Sequence, residues 1–223
     1  MTHLYSSLNT FASTIMEQDI AILIADLSGY TALTETHGAS SAADLIDKYV
    51  ELVNNSLVGS SRLHQRVGDE VMIVSDSADH LLSTAGVLLQ NVFREYNFLQ
   101  VHGGLHYGKI LIRNDHFFGS TLNLTSRIAS KAQPGVFLCS KDFLDAVTNR
   151  EPYLFRSIGN HNFKNVSDES EVFEIAMEKP ESLHVDPVCR MLLTDPAKCI
   201  SHPDRADIFF CSSNCLEIFI GRQ

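Results

Sequence analysis

The stretch that most constrains the fold of this chain runs from Ile20 to Thr31. A short, continuous apolar run ends in the carboxylate Asp26, and the small residues Ser28 and Gly29 follow it. Continuous apolar runs of this length between polar flanks are typical of strands buried on both faces. A carboxylate at the end of such a strand can hold a cation, and the amides of a tight turn can face phosphate oxygens. A helix cap is the alternative role for Asp26.

Hydrophobic periodicity predicts a mixed order of strands and helices, which favours an α+β fold with helices over one sheet. Turn residues and apolar spacing give the approximate bounds of each element. The predicted elements are an N-terminal leader helix (1–18), a strand (20–25), a helix (39–56), a hairpin turning at Gly68-Asp69, a helix (78–96), a strand pair (101–113), a helix (120–131), a strand (136–139), a short helix (141–147) and final strands (155–176).

Composition excludes several classes of function. The net charge of −10 argues against a general nucleic-acid binder and against binding to an anionic membrane surface. No apolar run approaches the length of a membrane span, and the N-terminus does not have the pattern of a signal peptide. Five cysteines, three of them near the end, suit metal binding in a reducing cytoplasm better than a disulfide framework.

Two carboxylates and a helical pair form the first group of candidate site residues. If the strands before Asp26 and around Asp69 are neighbours, the two acids meet at one edge of the sheet and can hold one or two Mg²⁺ ions. Asn123 and Arg127 are four residues apart on one helix, and hence on one face. An amide and a guanidinium there could hold a ribose and stabilise charge on phosphorus. A solvated polar face is the alternative for this pair.

The chain from about residue 20 to 177 resembles a class III nucleotidyl cyclase catalytic domain, the adenylate/guanylate cyclase homology domain. The resemblance implies a ferredoxin-like palm. It also implies a head-to-tail homodimer with each active site between two protomers, where a nucleoside triphosphate becomes a 3′,5′-cyclic nucleotide and pyrophosphate. The matching stretches, in order, are Ala25 to Thr31, Val67 to Glu70, Gly104 to Gly108, Phe118 to Ile128, Ala132 to Gly135 and Phe163 to Val166.

The same resemblance implies a role for each matched residue. One protomer would supply the metal ligands and the triphosphate cradle, and its partner would supply the groups that position the ribose and stabilise the transition state. The implied residues are Asp26, Leu27 and Asp69 for two Mg²⁺ or Mn²⁺ ions, the amides of Gly29, Tyr30 and Thr31 for the triphosphate, and Asn123 and Arg127 for catalysis.

The positions that select the base depart from the family pattern. Gln65 stands where adenylate cyclases carry Lys, and His116 stands where they carry Asp or Thr. Gln and His can each donate and accept a hydrogen bond, so ATP and GTP both remain open as substrates. Lys164 matches a family lysine near the last strands, where it would contact phosphate; the alternative is an ordinary surface lysine.

The polar, proline-bearing stretch 179–184 reads as a linker between a cyclase-like domain (19–178) and a C-terminal module (185–223). The module carries a Cys-x3-Cys pair and a distant third thiol, which is a metal-ligand spacing. The stretches Asp186 to Met191 and Phe209 to Cys215 resemble a YHS domain, related to the TRASH metal-binding motif. Arg190 stands where that family often has Gly.

Cys189, Cys211 and Cys215 are therefore the candidate ligands of a second metal, Zn²⁺ or Cu⁺, which soft thiolates favour. A fourth ligand could come from His202 or Cys199. The alternative is that the three cysteines are small buried core residues.

Taken together, the residues predict a nucleotide cyclase in signal transduction that acts on ATP or GTP. The alternative from a different class is a catalytically degenerate module that binds nucleotide or dimerises and is coupled to a metal-sensing YHS domain. A third reading is a metal-handling protein whose large domain serves as a scaffold.

Overall fold

The computed structural model describes residues 15–164, 169–177 and 183–222. A short 3₁₀ turn over Pro196–Lys198 accompanies the regular elements. These are β1 (Ile15–Ser28), α1 (Tyr30–Ser56), β2 (Arg62–Val67), β3 (Glu70–Ser75), α2 (Ala78–Arg94), β4 (Phe98–Arg113), β5 (His116–Phe118), α3 (Ser120–Ala129), β6 (Phe137–Ser140), α4 (Lys141–Ala146), β7 (Leu154–His161), β8 (Ser170–Ala176), β9 (His184–Val185), β10 (Met191–Leu193), β11 (Ile200–Ser201), β12 (Phe209–Phe210) and α5 (Ser213–Gly221).

The main sheet has the strand order β2-β3-β1-β4-β6-β8-β7. Its described neighbours are antiparallel, apart from the parallel pair of β4 and β6. β1 lies between β3 and β4, and its residues 20–25 are buried on both faces, as their continuous apolar sequence predicts. The α+β fold predicted from the sequence is confirmed.

Alternate residues of β1 pack against different helices. Leu23 and Leu27 join the large core formed with α1, α2 and α4, while Ile22 and Ile24 face the smaller cluster that contains Ala129 of α3. The sheet therefore carries helices on both faces, with α3 on the opposite side from α1 and α2. Asp26 is in phase with Ile24, so it belongs to the α3 side of the sheet.

The structure contradicts two expectations, one about a strand pair and one about the leader helix. Residues 101–113 are not a strand pair but part of the single long strand β4. The glycines suggested a turn, but Gly104 serves close packing instead, because a Cβ there would collide with the backbone of Ile128 and Ala129. Residues 15–18 are not helical but extend β1, since they pair in register with residues 110–113 of β4. The rest of the predicted leader helix, residues 1–14, lies outside the described residues.

Helix α1 begins nine residues before the predicted helix, directly after the turn at Gly29, and has a kink at Gly38. Gly38 has φ 84°, which interrupts the regular helix. The bounds of α2 and the hairpin between β2 and β3 agree closely with the sequence-based expectation.

The C-terminal segment, defined here as residues 183–222, packs directly against the main sheet. β10 pairs with the start of β4, with Met191 opposite Leu99 and Leu192 opposite Phe98. Leu192 is fully buried in the large core. Of the predicted linker 179–184, residues 179–182 lie outside the described residues, and His184 already belongs to β9.

Candidate nucleotide and metal sites

The two acids predicted to bind metal lie together at the carboxyl end of β1. Ala25 pairs with Val71, and Asp69 sits in the turn that precedes β3, so the carboxyls of Asp26 and Asp69 are neighbours and each affects the pKa of the other. Burial and the charge of Asp26 raise the pKa of Asp69 to about 6, and burial also raises the pKa of Asp26. Two carboxyls that resist joint ionisation in this way favour a cation between them.

The turn after the acids presents free amides. Gly29 adopts φ 98°, a left-handed conformation, and α1 starts at Tyr30 with the first helical bond from Leu33 N to Gly29 O at 3.0 Å. The amides of Tyr30 and Thr31 therefore have no acceptor within the helix. Such a helix start, next to a cation site, suits the oxygens of a polyphosphate. Leu27 is buried, and its N–H donates to Asp26 Oδ1 at 3.0 Å.

His102 is a neighbour of the acids that sequence reasoning missed. It lies directly opposite Asp26 in the β1–β4 register, and its Nδ1 is 2.9 Å from Ser28 Oγ. Burial lowers its pKa, so it is neutral at neutral pH. Only knowledge of the strand register could have found it, because nothing in the local sequence marks it.

Asn123 and Gln65 line a pocket on the α3 side of the sheet. Its volume is about 270 Å³, with Ser126 as a further polar wall and Ile24 and Leu122 among its apolar walls. Arg127 is exposed one helical turn beyond Asn123. Asp26 and Asp69 do not line this pocket, although Glu70, the residue after Asp69, does.

The other predicted substrate contacts are exposed. His116 starts β5, whose next residue Phe117 stacks on His64 at 4.0 Å, and His64 is adjacent to Gln65 in β2. The stack of Phe117 on His64 thus brings the two base-selecting positions near each other, although β2 pairs with β3 and β5 pairs with β4. Lys164 is exposed at the end of the described range 15–164, and its role stays a prediction.

The three C-terminal cysteines converge, and a histidine from α1 joins them. Cys211 Sγ lies 3.5 Å from Cys189 Sγ, 3.5 Å from Cys215 Sγ and 3.5 Å from His37 Nε2, and Cys215 Sγ lies 3.7 Å from the same nitrogen. Cys189 and Cys215 are buried, and the other two groups are partly exposed. We define these four residues as the Cys₃His cluster, a donor set that fits a metal ion.

Neither of the residues expected as a fourth ligand joins the cluster, so that expectation was wrong. The His202 Nδ1 accepts a hydrogen bond from Asp204 N at 3.1 Å, and Cys199 Sγ donates to Asp195 O at 3.2 Å. His37 could not be found from spacing, because it is 174 residues away from Cys211 in sequence.

Asp186 holds the two cysteine-bearing loops together. Its buried carboxylate accepts hydrogen bonds from Val188 N at 2.8 Å and Cys189 N at 3.2 Å through Oδ1, and from Cys211 N at 2.8 Å through Oδ2. Burial opposes ionisation, but these hydrogen bonds outweigh it and lower the pKa of Asp186. A hydrogen bond from the Cys189 thiol lowers the pKa of Cys211 to about 6, which makes it the first thiolate of the cluster.

No protein-family profile matches the chain. Among curated proteins, an uncharacterised protein of Mycobacterium tuberculosis is 32% identical over 148 residues, which is 64% of this chain and 39% of that protein. An adenylate cyclase of Glutamicibacter nicotianae is 30% identical over 132 residues, 57% of this chain and 31% of the relative. The chain thus spans about a third of the length of these relatives.

Solved structures decide the fold. An adenylate cyclase of Trypanosoma brucei superposes with a TM-score of 0.65 at 18% identity, covering 79% of this chain and 93% of the other. The adenylyl cyclase CyaB of P. aeruginosa gives 0.63 at 16% identity, with 76% and 99% covered. The fold is that of a class III nucleotidyl cyclase domain. A guanylate cyclase domain from Catenaria anguillulae, solved in complex with GTP, shares this cyclase fold with a TM-score of 0.58 at 14% identity, covering 74% and 100%.

Within the described residues, none of the helices combines the length and the apolar character needed to span a bilayer.

Proposed function

We propose that this chain is a nucleotidyl cyclase that converts a purine nucleoside triphosphate into a 3′,5′-cyclic nucleotide and pyrophosphate. The observation that carries the proposal is the neighbouring pair of carboxyls of Asp26 and Asp69 beside the free amides at the start of α1. The cyclase relatives and the cyclase fold of the chain support the same activity.

The active site requires two protomers. One chain supplies the two acids and the turn from Gly29 to Thr31, here called the triphosphate turn. The other chain supplies the pocket with Gln65, Asn123 and Arg127. The pocket that holds Gln65 and Asn123 does not include the two acids, in keeping with this arrangement. Val67 and Phe118, on the strands that carry the base-selecting positions, are 62% and 49% exposed, which gives an apolar surface for a partner to cover. A head-to-tail homodimer brings both half-sites together twice.

Each residue then has a chemical task. Asp26 and Asp69 would hold two Mg²⁺ or Mn²⁺ ions, with the Leu27 backbone beside them; such ions would lower the pKa of the ribose 3′-hydroxyl and neutralise the phosphates. The amides of Tyr30 and Thr31 bind the β- and γ-phosphates. The 3′-hydroxyl releases its proton to solvent water, its oxygen forms a bond to the α-phosphorus, and the bond from that phosphorus to pyrophosphate breaks. Arg127 stabilises the charge on the five-coordinate phosphorus, and Asn123 positions the ribose.

The pocket around Gln65 is suited to a purine base but does not select between adenine and guanine. Its apolar walls can contact a base, while the amide of Gln65 can donate and accept hydrogen bonds. This same feature favours the second candidate function, a nucleotide-binding regulatory module without turnover, because Gln65 replaces the lysine of adenylate cyclases.

The decisive experiment is incubation of the purified full chain with ATP or GTP and Mn²⁺. We expect a cyclic nucleotide and pyrophosphate in equal amounts, and loss of both by more than about 100-fold in Asp26→Ala and Asp69→Ala, since a lost metal ligand costs more than a lost outer partner. Asp207→Ala, an exposed acid in the C-terminal segment, is the matched control. Nucleotide binding without product would favour the regulatory module.

A further inference from the structure

We propose that one Zn²⁺ ion binds to the Cys₃His cluster and fastens the C-terminal segment to helix α1 of the cyclase fold. The three thiols come from the C-terminal segment, but the fourth ligand, His37, comes from the helix that begins at the triphosphate turn. The ion would therefore join two distant parts of the chain rather than stabilise the C-terminal segment alone.

The geometry of the cluster matches tetrahedral zinc. Zn–S bonds of about 2.3 Å and a Zn–N bond of about 2.0 Å place two sulfurs about 3.8 Å apart and a sulfur and a nitrogen about 3.5 Å apart. Cys211 Sγ lies 3.5 Å from each of the other two sulfurs, and Cys211 Sγ and Cys215 Sγ lie 3.5 and 3.7 Å from His37 Nε2. All four donor atoms lie within 4.8 Å of one another. Three thiolates and one imidazole form a common structural zinc set, which favours Zn²⁺ over other soft ions.

The surrounding residues hold the ligands in place before any ion binds. Asp186 fixes the backbone of Cys189 and Cys211, as described above. Ser212 caps α5 by accepting a hydrogen bond from Cys215 N at 3.2 Å, which orients the third thiol. Zinc sites depend on such outer hydrogen bonds to orient their ligands.

On the side of α1, the kink explains how His37 reaches the thiols. Gly38 leaves the helical conformation directly after His37, which frees carbonyls of the preceding turn from their helical bonds. Asn214 Nδ2 of α5 donates to one of these, Thr36 O, at 3.4 Å. The contact adds a second link between α1 and the C-terminal segment at the same place.

The C-terminal segment also contacts the triphosphate turn, at the start of α1. A Cβ added to Gly29 would collide with Cβ and Cγ of Arg190, which follows the ligand Cys189. His37 is eight residues, or about two helical turns, after Gly29. Zinc at the cluster thus fixes both ends of this first part of α1 against the C-terminal segment.

Zinc binding is tested on the full chain purified under reducing conditions, by native mass spectrometry and by competition with a chelator. We expect one zinc per chain, no zinc in Cys211→Ser, and affinity at least about tenfold lower in His37→Gln. His37→Cys should restore tight binding, because Cys₄ is also a zinc set. Cys199→Ser, outside the cluster, should bind as the wild type does.

A spectroscopic readout separates ligation from a merely structural role of His37. Co²⁺ in place of zinc should give the visible bands of a tetrahedral site, and His37→Cys should strengthen the sulfur-to-cobalt charge transfer. Wild-type affinity or an unchanged cobalt spectrum in His37→Gln would overturn the assignment. So would a zinc-free chain that is lighter by two hydrogens, which would mean a disulfide instead.

The fastening itself is tested by hydrogen exchange with and without zinc. We expect faster exchange after zinc removal in both residues 30–37 and residues 209–221. Faster exchange in the C-terminal residues alone would overturn the link to α1. A further consequence rests on the proposed function: zinc removal should raise KM for the triphosphate more than it lowers kcat. If zinc binds and both segments respond but no cyclic product forms, the proposed function fails and the zinc link stands.

Discussion

At the scale of single residues, the Asp26–Asp69 pair favours binding of a cation because the two carboxyls resist being ionised together. The pKa of Asp69 is about 6, against an ordinary value of 3.8, since burial and the neighbouring charge of Asp26 oppose its ionisation. A divalent ion removes this repulsion by supplying the positive charge that the proton supplied. His102, neutral and hydrogen-bonded to Ser28, adds no competing charge beside the pair.

The raised pKa predicts how stability depends on pH in buffer without added Mg²⁺ or Mn²⁺. Between about pH 4 and pH 6 the folded chain keeps a proton on Asp69 that the unfolded chain has lost, so the stability from that proton is lost as the pH rises through about 6. The contribution of Asp69 should therefore make the chain less stable to thermal unfolding near pH 7 than near pH 5. Asp69→Asn should reduce this difference in unfolding temperature. An equal pH dependence in wild type and variant would contradict this.

Asp186 provides a second prediction at this scale. Its carboxylate accepts three backbone hydrogen bonds in a fully buried position, and a hydrogen bond to a charged group contributes about 1.5–3 kcal/mol. Asp186→Asn should lower the free energy of unfolding by about that amount in urea titrations and weaken zinc binding. Asp207→Asn, at an exposed position, should change neither quantity. An Asn variant as stable as the wild type would show that the carboxylate is dispensable.

At the scale of elements, the sequence predicted those parts whose pattern is local. The continuous apolar run predicted β1, and the three-four spacing predicted α2, because burial imposes those periods. β4 was misjudged, since Gly104 reads as a turn residue but serves the close approach of α3. The start of α1 was missed because its first turns are mostly polar, with Leu33 as the one fully buried core residue among the described residues 30–38.

The candidate sites show the same division. The closeness of the two acids could be predicted from the hairpin that turns at Asp69, and the shared face of Asn123 and Arg127 from their four-residue spacing on α3; their roles stay predictions. His37 and His102 could not, because each becomes a neighbour of its site only through tertiary structure: a contact across 174 residues in one case and a strand register in the other.

The pairing of β10 with β4 leads to a prediction about the C-terminal segment. Leu192 is fully buried in the main core, so Leu192→Ala should lower the free energy of unfolding by about 2–5 kcal/mol and loosen the whole segment. The control is Ile220→Ala in α5, where the side chain is 49% exposed and the expected change is within about 0.5 kcal/mol. Urea unfolding measures both, and equal effects would contradict the docking of β10 in the core.

At the scale of the whole molecule, the account depends on two chains sharing each active site. In the proposal, the acids and the triphosphate turn come from one chain and the pocket of Gln65 and Asn123 from the other; the exposed Val67 and Phe118 lie on the strands that carry the base-selecting positions. The C-terminal segment lies on the side of the triphosphate turn, where Arg190 covers Gly29. Zinc binding at the Cys₃His cluster would thus act on the triphosphate turn through α1, while the partner chain would supply the other half of the active site.

Mixing two inactive variants tests shared sites most directly. Asp69→Ala and Arg127→Ala homodimers should each be inactive with Mn²⁺ and triphosphate, because both of their sites lack one group. When the two are unfolded, mixed in equal amounts and refolded together, half of the dimers should be mixed, and each of these has one complete site. The account predicts recovery of about a quarter of the wild-type rate of cyclic nucleotide formation. No recovery, from chains shown to form mixed dimers, would contradict it.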